Sequence, residues 1–361
     1  MDTTKLKIVL AHDSLTQLGG AERVLEALHE MFPQAPVFVL VQDKKLKDVY
    51  KSWDIRTSWL QVFFNFFPKL QYYLPLIPLA VSSLDFSGYD LVISTSSGFI
   101  KNINVPKNCT HINYCHTPAR FLWSEPEYVN QEAPFILRPF ARFCIKLMKK
   151  WDHNGAGRVK YFISNSAEVQ KRVKQFYNRD SVVVYPFVDT EFWEPTAEKK
   201  DYFLLAGRLQ AHKKNELIIE IFNELGLPLH VVGTGRQEEY LKSIAKSNIK
   251  FLGKITDAQL RNEYSGALAY IYPQIEDFGL MPLEAAACGT ASLAYNQGGS
   301  LETIIPGVTG EFFTSYNKEE IKKAILAWDY KKYSTENLQQ QAKKFGKEKF
   351  KNQFAEFFSQ L

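Results

Sequence analysis

The chain has 361 residues, long enough for two domains with a core each, and its 45% hydrophobic and 23% charged residues exclude a disordered protein. Its four cysteines form no CxxC pair, which excludes a zinc site of ordinary spacing and indicates reduced, mostly buried thiols in a cytoplasmic protein. The net charge of +5 is uneven: residues 1–180 hold 23 Lys or Arg against 16 Asp or Glu, whereas the remainder hold 21 against 23, so we expect only the first half to meet an anionic surface.

Short apolar runs alternate with longer helical patterns along the chain. The first series starts at "KIVLAH", after an acidic opening that does not make a signal peptide, and runs through "AERVLEALHEMF", "VFVLV", "LVISTS", "HINYCH", "YFISNS" and "AEVQKRVKQFY". Continuous apolar strands between amphipathic helices predict a parallel sheet covered on both faces. The pattern restarts after residue 190, beyond the proline-rich and charged stretch "VVVYPFVDTEFWEPTAEKKDY".

These two series predict an α/β fold of two doubly wound, Rossmann-like domains. We place the first domain at residues 1–185 and the second at 186–339, and we expect a C-terminal helix at about 340–361 to pack back on the first. Ligands of such sheets bind outside the carboxyl ends of the strands, which here would face each other across a cleft.

The first candidate motif is "GGAERV", residues 19–24, which follows the first strand and opens a helix. Gly19 and Gly20 leave backbone N–H groups open at a helix N-terminus, which suits an anion or a close sugar. The alternative is an ordinary strand-to-helix turn.

Residues 59–81, "WLQVFFNFFPKLQYYLPLIPLAV", carry an unusual aromatic load. Pro68, Lys69, Pro75 and Pro78 interrupt the stretch, and the chain has no run of eighteen apolar residues that could span a membrane. We interpret the stretch either as a pair of short helices under the first sheet or as a hairpin that dips into a bilayer interface.

"YCHTPARFLW", residues 114–123, places His116 at the carboxyl end of a strand. A lone histidine there is either a satisfied structural residue or a group facing the ligand.

"LRPFARFCIKLMKKWD", residues 137–152, predicts an amphipathic helix. Arg138, Arg142, Lys146 and Lys150 recur every four residues, beside an apolar row of Phe140, Cys144, Met148 and Trp151. The helix either packs on its own sheet with a solvated basic face or meets an anionic bilayer.

"LLAGRLQAHKKNELI", residues 204–218, puts Arg208 and Lys213 in the loop that enters a helix of the second domain. Two cations beside a helix N-terminus can hold a diphosphate without a metal. The alternative is a solvated charged loop.

"VVGTGRQEE" resembles a dinucleotide fingerprint at Gly233 and Gly235. The third glycine would fall at position 238, which is Glu238, so we reject a dehydrogenase.

"IYPQIEDFGLMPLEAAACGT", residues 271–290, places two acids around a glycine turn and a helix start. We predict Glu276 in the loop and Glu284 in the first turn of a helix that Pro282 helps to begin and Gly289 ends. Two carboxylate hydrogen-bond acceptors around free backbone N–H groups suit sugar or ribose hydroxyls beside a phosphate. A metal site is disfavoured because no further Asp, Glu or His lies at ligand spacing from the two glutamates. The alternative is that Glu284 is a first-turn acid favoured by the helix dipole and that Glu276 is a solvated acid in the loop.

Together with "ISNSAEVQKRV" and "GGSLETIIPGVTGEFF", these motifs resemble family four of the retaining glycosyltransferases, which have the GT-B fold. The two glutamates match the acid–seven–acid motif of that family, and the resemblance runs from residue 6 to about 358. "YCHTPARFLW" further resembles the branch of O-antigen and exopolysaccharide mannosyltransferases that use GDP-mannose.

The resemblance implies a role for each matching residue. Arg208 and Lys213 would hold the donor diphosphate, although Lys214 stands where glycine is common, which leaves open which lysine reaches the phosphate. Glu276 would accept from donor-sugar hydroxyls, Glu284 would hold the ribose hydroxyls, and His116 would lie beside the donor sugar. The other donor-binding residues implied are Gly19, Gly20, Gly233, Lys254, Phe278, Gly279 and Leu280.

The mechanism implied is transfer with retention and without a metal or other cofactor, in which the leaving diphosphate takes the proton of the acceptor. The expected partners are a nucleotide sugar, a lipid-linked saccharide acceptor and the inner face of the cell membrane, and no nucleic acid. Arg120 joins Arg138, Arg142, Lys146 and Lys150 on the predicted acceptor or membrane side. The alternatives are a UDP-sugar donor, an epimerase or phosphorylase on the same fold, and an inert sugar-nucleotide-binding subunit.

Overall fold

The computed structural model describes residues 6–124 and 138–361. The opening residues 1–5, and Leu137 of the predicted amphipathic helix, lie outside the described part. The chain divides into two compact units, the first made of Met1–Pro186 and Phe350–Leu361 and the second of Phe187–Lys349.

The first unit is built on a seven-stranded parallel sheet. Its strands and α-helices in chain order are β1 (Ile8–His12), α1 (Gly20–Met31), β2 (Val37–Val39), β3 (Ile55–Thr57), α2 (Leu60–Phe64), α3 (Ile77–Ser82), β4 (Leu91–Ser96), β5 (Thr110–Cys115), α4 (Arg120–Trp123), α5 (Arg138–Ala156), β6 (Tyr161–Ser164), α6 (Ala167–Tyr177) and β7 (Ser181–Val183). The strand order is β3-β2-β1-β4-β5-β6-β7, so the winding reverses between β1 and β4. Ligands of such sheets bind at the carboxyl ends of the strands beside this reversal.

The second unit repeats the plan with six parallel strands in the order β10-β9-β8-β11-β12-β13. Its elements are β8 (Phe203–Ala206), α7 (Asn215–Leu225), β9 (Leu229–Val232), α8 (Glu238–Ile244), β10 (Ile249–Gly253), α9 (Asp257–Gly266), β11 (Tyr270–Tyr272), α10 (Leu280–Ala287), β12 (Ser292–Tyr295), α11 (Ser300–Thr303), β13 (Gly310–Phe313), α12 (Lys318–Leu326) and α13 (Thr335–Lys343). Its winding reverses between β8 and β11. The two sheets confirm the predicted fold class of two doubly wound α/β domains.

The last helix, α14 (Lys347–Ser359), supplies part of the core of the first unit. The rings of Phe350 and Phe354 both pack on Tyr114 of β5, with ring centroids 6.1 Å apart in each case. Both phenylalanines and Tyr114 are fully buried. Helix α13, by contrast, packs on α10 within the second unit.

A buried ion pair ties α5 to the rest of the first unit. Asp152 of α5 pairs with Lys101, and neither side chain is more than 1% exposed. The carboxylate also accepts hydrogen bonds from Trp123 Nε1 at 2.8 Å, the Tyr177 hydroxyl at 2.8 Å and Asn102 Nδ2 at 3.2 Å. Four donors from three segments of the chain therefore converge on one carboxylate.

The packed face of α5 differs from the expected apolar row at one end. Met148 is buried, and Cys144 and Trp151 are half-buried, but Phe140 is 63% exposed. Steps of four residues advance about 40° around a helix, so the row has turned roughly 80° between Phe140 and Met148. The expectation that Phe140 packs with the others is therefore wrong.

The outer side of α5 carries a basic face, which we define as Arg142, Lys146 and Lys150. All three are exposed, and beside them Phe143 and Leu147 are exposed as well. The outer side is thus amphipathic in its own right.

The aromatic stretch at 59–81 folds as α2, a 3₁₀ segment at Leu70–Leu76 and α3, in agreement with the first interpretation of short helices. Phe64 and Ile77 are buried in the core. Six other large apolar side chains in this stretch are more than half exposed, namely Val62, Phe63, Phe66, Phe67, Tyr72 and Leu79. No helix among the described residues is long and apolar enough to cross a bilayer.

Candidate active site

The loop after β8 brings Lys213 of the second unit against Glu276. Gly207 follows the strand with φ of +139°, and a short 3₁₀ turn at Ala211–Lys213 leads into α7. The Lys213 ammonium forms an ion pair with the Glu276 carboxylate from the loop after β11. The two side chains are 12% and 22% exposed, so water screens the pair only partly.

Lys214 points elsewhere. Its backbone has φ of +58°, the left-handed region that glycine adopts most easily, which explains why glycine suits this position. Its ammonium lies over the ring of Tyr316, 5.2 Å from the centroid. The geometry therefore places Lys213, and not Lys214, at the predicted site.

The loop that carries Glu276 is held by two glycines that the sequence reasoning did not single out. Gly299 N–H donates to the Glu276 carbonyl at 2.8 Å. A Cβ at Gly298 would lie 2.6 Å from that carbonyl oxygen, and one at Gly299 would lie 2.2 Å from Phe278 Cα. The signal was present in the quoted "GGSLET", since paired glycines often mark a close approach of two backbone segments.

Helix α10 begins earlier than expected. Gly279, with φ of +89°, is its N-cap and Leu280 is its first residue, so Glu284 is the fifth residue of the helix and not part of its first turn. Pro282 is tolerated at the third position because the first N–H groups of a helix have no partner within it. The prediction that Pro282 marks the start was therefore wrong by one half-turn.

Glu284 is buried, with 7% of its surface exposed. It lies near Cys288, Tyr264 and Tyr270. Burial, followed by the Glu284 charge, raises the pKa of the Cys288 thiol to about 12. Burial and neighbouring tyrosine and glutamate groups likewise raise the pKa of both tyrosine hydroxyls. These groups stay protonated at neutral pH around the carboxylate.

The remaining residues predicted in the second unit lie at the carboxyl edge of its sheet. Arg208 is exposed in the loop after β8, and Lys254 is exposed immediately after β10. Gly233 follows β9, where a Cβ would lie 1.9 Å from the Gly207 carbonyl oxygen, so glycine is required there by backbone packing. Phe278 is 3% exposed and contacts the Phe345 ring edge-on.

In the first unit, the predicted residues occupy the carboxyl ends of β1 and β5. Gly19 is the extended N-cap of α1, and Gly20 is its first residue. His116 follows β5 and is buried, and its Nε2 has no hydrogen-bond partner among the described residues. Burial and the nearby His12 lower the pKa of His116 to about 3, so its imidazole is neutral at physiological pH. Arg120 opens α4, four residues further on.

Two polar residues at this edge were missed by the sequence reasoning. His12 is the last residue of β1, and Glu22 lies in the first turn of α1. They are 3% and 4% exposed, and His12 Nε2 lies 3.8 Å from Glu22 Oε1. The sequence could have indicated both residues, because His12 ends the apolar run "KIVLAH" and Glu22 is the acid within "GGAERV".

An open groove of about 430 Å³ adjoins this edge. It is lined by Thr16 from the loop after β1, Phe99 from the loop after β4, Phe121 of α4, and Phe64, Leu70 and Leu74 from the aromatic stretch. A mostly apolar groove therefore lies between the aromatic stretch and the segments that follow β1, β4 and β5.

In the part of the chain that the structure describes, no three His, Cys, Asp or Glu side chains are grouped so that they could hold a metal ion. Cys109, Cys115 and Cys288 are buried, Cys144 is half-buried, and none of these four described cysteines forms a disulfide bond.

Two family models match the chain and together cover residues 18–347. The model described as Glycosyltransferase Family 4 matches residues 18–192, and the model described as Glycosyl transferases group 1 matches residues 187–347.

Mannosyltransferases are among the similar proteins. The O-antigen chain mannosyltransferase RfbU of Salmonella typhimurium is 27% identical over 168 residues, which are 43% of this chain and 46% of that protein. The alpha-1,3/1,6-mannosyltransferase ALG2 of Saccharomyces cerevisiae is 23% identical over 380 residues, with 86% of this chain and 73% of that protein covered. This chain therefore spans less than half of the length of RfbU.

Solved structures share the fold over almost the whole chain. HepE of Anabaena in complex with UDP superposes with a TM-score of 0.73 at 18% identity, covering 99% of this chain and all of that one. A sucrose-phosphate synthase of Thermosynechococcus elongatus gives a TM-score of 0.75 at 16% identity, covering 98% of both chains. The solved structures show that the chain has the GT-B fold, and the two family models together show that it is a glycosyltransferase built of a Family 4 and a group 1 domain.

Proposed function

We propose that this glycosyltransferase is a retaining, metal-independent mannosyltransferase that moves mannose from GDP-mannose to a lipid-linked saccharide during synthesis of a cell-surface polysaccharide. The observation that carries the proposal is the Lys213–Glu276 pair, which sits where the winding of the second sheet reverses. The Lys213 ammonium can bind the diphosphate of a nucleotide sugar, and the neighbouring Glu276 carboxylate can accept hydrogen bonds from the sugar hydroxyls.

The pair prepares the site electrostatically. Without donor, Glu276 holds the Lys213 ammonium in place, so little reorganisation is needed when a diphosphate arrives. Lys213 and Arg208 then balance the negative charge that grows on the diphosphate as the glycosidic bond breaks. Glu276 turns to the sugar hydroxyls, and the buried Glu284 takes those of the ribose.

The bond changes balance without a protein nucleophile. The bond between the anomeric carbon and the diphosphate oxygen breaks, and the acceptor hydroxyl attacks the same face of the sugar. Its proton passes to the departing diphosphate oxygen. Positioning and charge stabilisation supply the catalysis.

The acceptor assignment rests on the first unit. Its exposed aromatic stretch and the basic face of α5 give an apolar and a cationic surface, the combination that binds anionic bilayers. The groove of about 430 Å³ joins the aromatic stretch to the edge that carries His116, which suits an acceptor with a lipid part and a sugar part. We infer peripheral attachment to the inner face of the cell membrane.

A UDP-sugar donor is the competing assignment for the same reaction. HepE, which has the same fold, binds UDP and UDP-glucose in its solved complexes. Thermal-shift measurements with GDP-mannose, UDP-glucose and ADP-glucose separate the two donors. If a UDP-sugar stabilises the protein and GDP-mannose does not, the donor assignment changes to a UDP-sugar, whereas the assigned reaction class stays the same.

Turnover separates an enzyme from an inert binding subunit. Lys213→Ala and Glu276→Ala should each lower the rate of mannose transfer to a lipid-linked acceptor by roughly a hundredfold, the scale of losing one preorganised electrostatic contact. Lys214→Gly is the matched control, since it removes the neighbouring cation and suits the left-handed backbone, and it should stay within about threefold of the parent. Parental rates in the first two variants would remove the pair from the mechanism, and binding without any turnover would indicate an inert subunit.

A further inference from the structure

Three buried polar side chains lie at the carboxyl edge of the first sheet, and two of their atoms lack hydrogen-bond partners in the described part of the chain. His12 Nδ1 is hydrogen-bonded to Thr95 Oγ1 at 2.6 Å, while its Nε2 faces Glu22 Oε1 at 3.8 Å. The other carboxylate oxygen of Glu22 and Nε2 of His116 have no hydrogen-bond partner among the described residues. Glu22 and His116 are 4% and 8% exposed.

Buried polar atoms are nearly always hydrogen-bonded, because losing water without compensation costs free energy. Two such atoms on one edge of a sheet, beside the reversal of its winding, indicate that a ligand completes their bonding. The hydrogen bond to Thr95 accounts for His12 Nδ1, but no contact among the described residues accounts for these two atoms.

The unpartnered oxygen of Glu22, Oε2, lies beside the glycine turn. A Cβ at Gly19 would lie 3.1 Å from Glu22 Oε2, so a side chain there would cover the oxygen. Gly19 has an extended backbone that any residue could adopt, so its lack of a side chain serves access here and not conformation.

The chemistry of the open atoms selects the ligand. A carboxylate oxygen accepts hydrogen bonds and repels a phosphate brought into direct contact with it. Of the two ligands that suit the turn, an anion and a close sugar, the carboxylate therefore favours the sugar. His116, held neutral by its burial, adds an uncharged hydrogen-bonding atom, Nε2.

We propose that Glu22 binds a hydroxyl group of the saccharide acceptor, with His12 as a positioning residue that holds the carboxylate toward the Gly19 turn. This assignment rests on the proposed glycosyl transfer, and it supplies an acceptor-side contact for that reaction. The hydrogen bond with Thr95 fixes the orientation of the His12 ring. Its Nε2 therefore faces the Glu22 carboxylate before any ligand binds.

Saturation-transfer NMR with methyl glycosides of mannose, glucose, galactose and N-acetylglucosamine tests the proposal without requiring turnover. The Kd of the best-bound glycoside should rise about tenfold or more in Glu22→Gln, the scale of losing a hydrogen bond to a charged group. His12→Gln should raise it by a smaller factor. The Kd for GDP-mannose, measured on the same proteins, should change less than about twofold.

Glu26→Gln is the matched control. Glu26 lies one turn later on α1 and accepts from the Tyr50 hydroxyl at 2.9 Å, so its variant should bind the glycosides as the parent does. The proposal is overturned if no glycoside binds the parent, if Glu22→Gln binds it equally well, or if donor binding weakens as much as glycoside binding. Glycoside binding that depends on Glu22, in a protein that does not use GDP-mannose, would retain this inference and remove the donor assignment instead.

Discussion

Replacing Asp152 by asparagine is expected to destabilise the first unit strongly, because it leaves a buried ammonium without its counter-charge. The substitution keeps the size of the side chain, removes its charge and replaces one acceptor oxygen by an amide donor. Lys101 is 1% exposed, so water cannot replace the carboxylate. Removing one partner of a buried ion pair costs about 3–5 kcal/mol.

The protonation of lysine sets an upper limit to this cost. In the variant, Lys101 can enter the folded state as a neutral amine, and deprotonating an ordinary lysine of pKa 10.4 at pH 7 costs about 4.6 kcal/mol. The charge term therefore saturates near 5 kcal/mol. The amide of asparagine also turns a donor toward Trp123 or Tyr177, each of which already donates to Asp152.

Urea unfolding followed by circular dichroism measures the effect on the parent, Asp152→Asn, Lys101→Met and the double variant. The double variant should recover most of the loss, because no unpaired charge remains.

Two results would refute this reasoning. One is a loss below about 1 kcal/mol in Asp152→Asn at pH 7, which would mean that the pair contributes little beyond its solvation. The other is a double variant as unstable as Asp152→Asn, which would trace the loss to packing or to the hydrogen bonds of Trp123 and Tyr177.

Three further predictions concern metal, pH and the membrane. EDTA should leave transfer unchanged, because two cations and a helix N-terminus balance the diphosphate; a strict requirement for added Mg²⁺ or Mn²⁺ would contradict this. Burial lowers the pKa of His111 and His116 to about 3, below the unfolded value of 6.5, so their stabilising contribution is complete above pH 6.5 and each should lose about 1.4 kcal/mol by pH 5.5. Urea unfolding at pH 7.5 and 5.5 measures this loss, and a flat response would argue against it. Reversing the basic face of α5 to glutamate should reduce co-sedimentation with anionic vesicles, at about 1 kcal/mol per residue near the surface, whereas reversing exposed Lys331, Lys332 and Lys343 of the second unit should not; equal sedimentation of the two variants would remove the basic face from the membrane contact.

The strands and the two doubly wound sheets could be predicted from the sequence because parallel strands buried on both faces appear as unbroken apolar runs. Charged residues directly after such runs then had to share an edge of the sheet. That argument located Arg208, Lys213 and Glu276 at one edge of the second unit. It could not pair Lys213 with Glu276, because the contact depends on how two loops fold over Gly298 and Gly299.

Periodicity also leaves some choices open. In α5 the sequence has apolar residues on two adjoining sides, and spacing alone does not say which side meets the core. Phe140 was assigned to the packed side and lies outside it. Likewise Pro282 suggested a helix start, but the left-handed backbone of Gly279 sets the actual one.

The return of the chain end to the first unit has a consequence for biosynthesis. Tyr114 is covered by Phe350 and Phe354, which the ribosome adds only after it has made the entire second unit. At 5–20 residues per second, this delay lasts on the order of 10–30 s. For that time the nascent first unit presents an uncovered aromatic surface beside Tyr114, to which a chaperone that binds apolar segments can attach. Once the ribosome has released the C-terminal helix α14, the helix competes with that chaperone for the surface beside Tyr114.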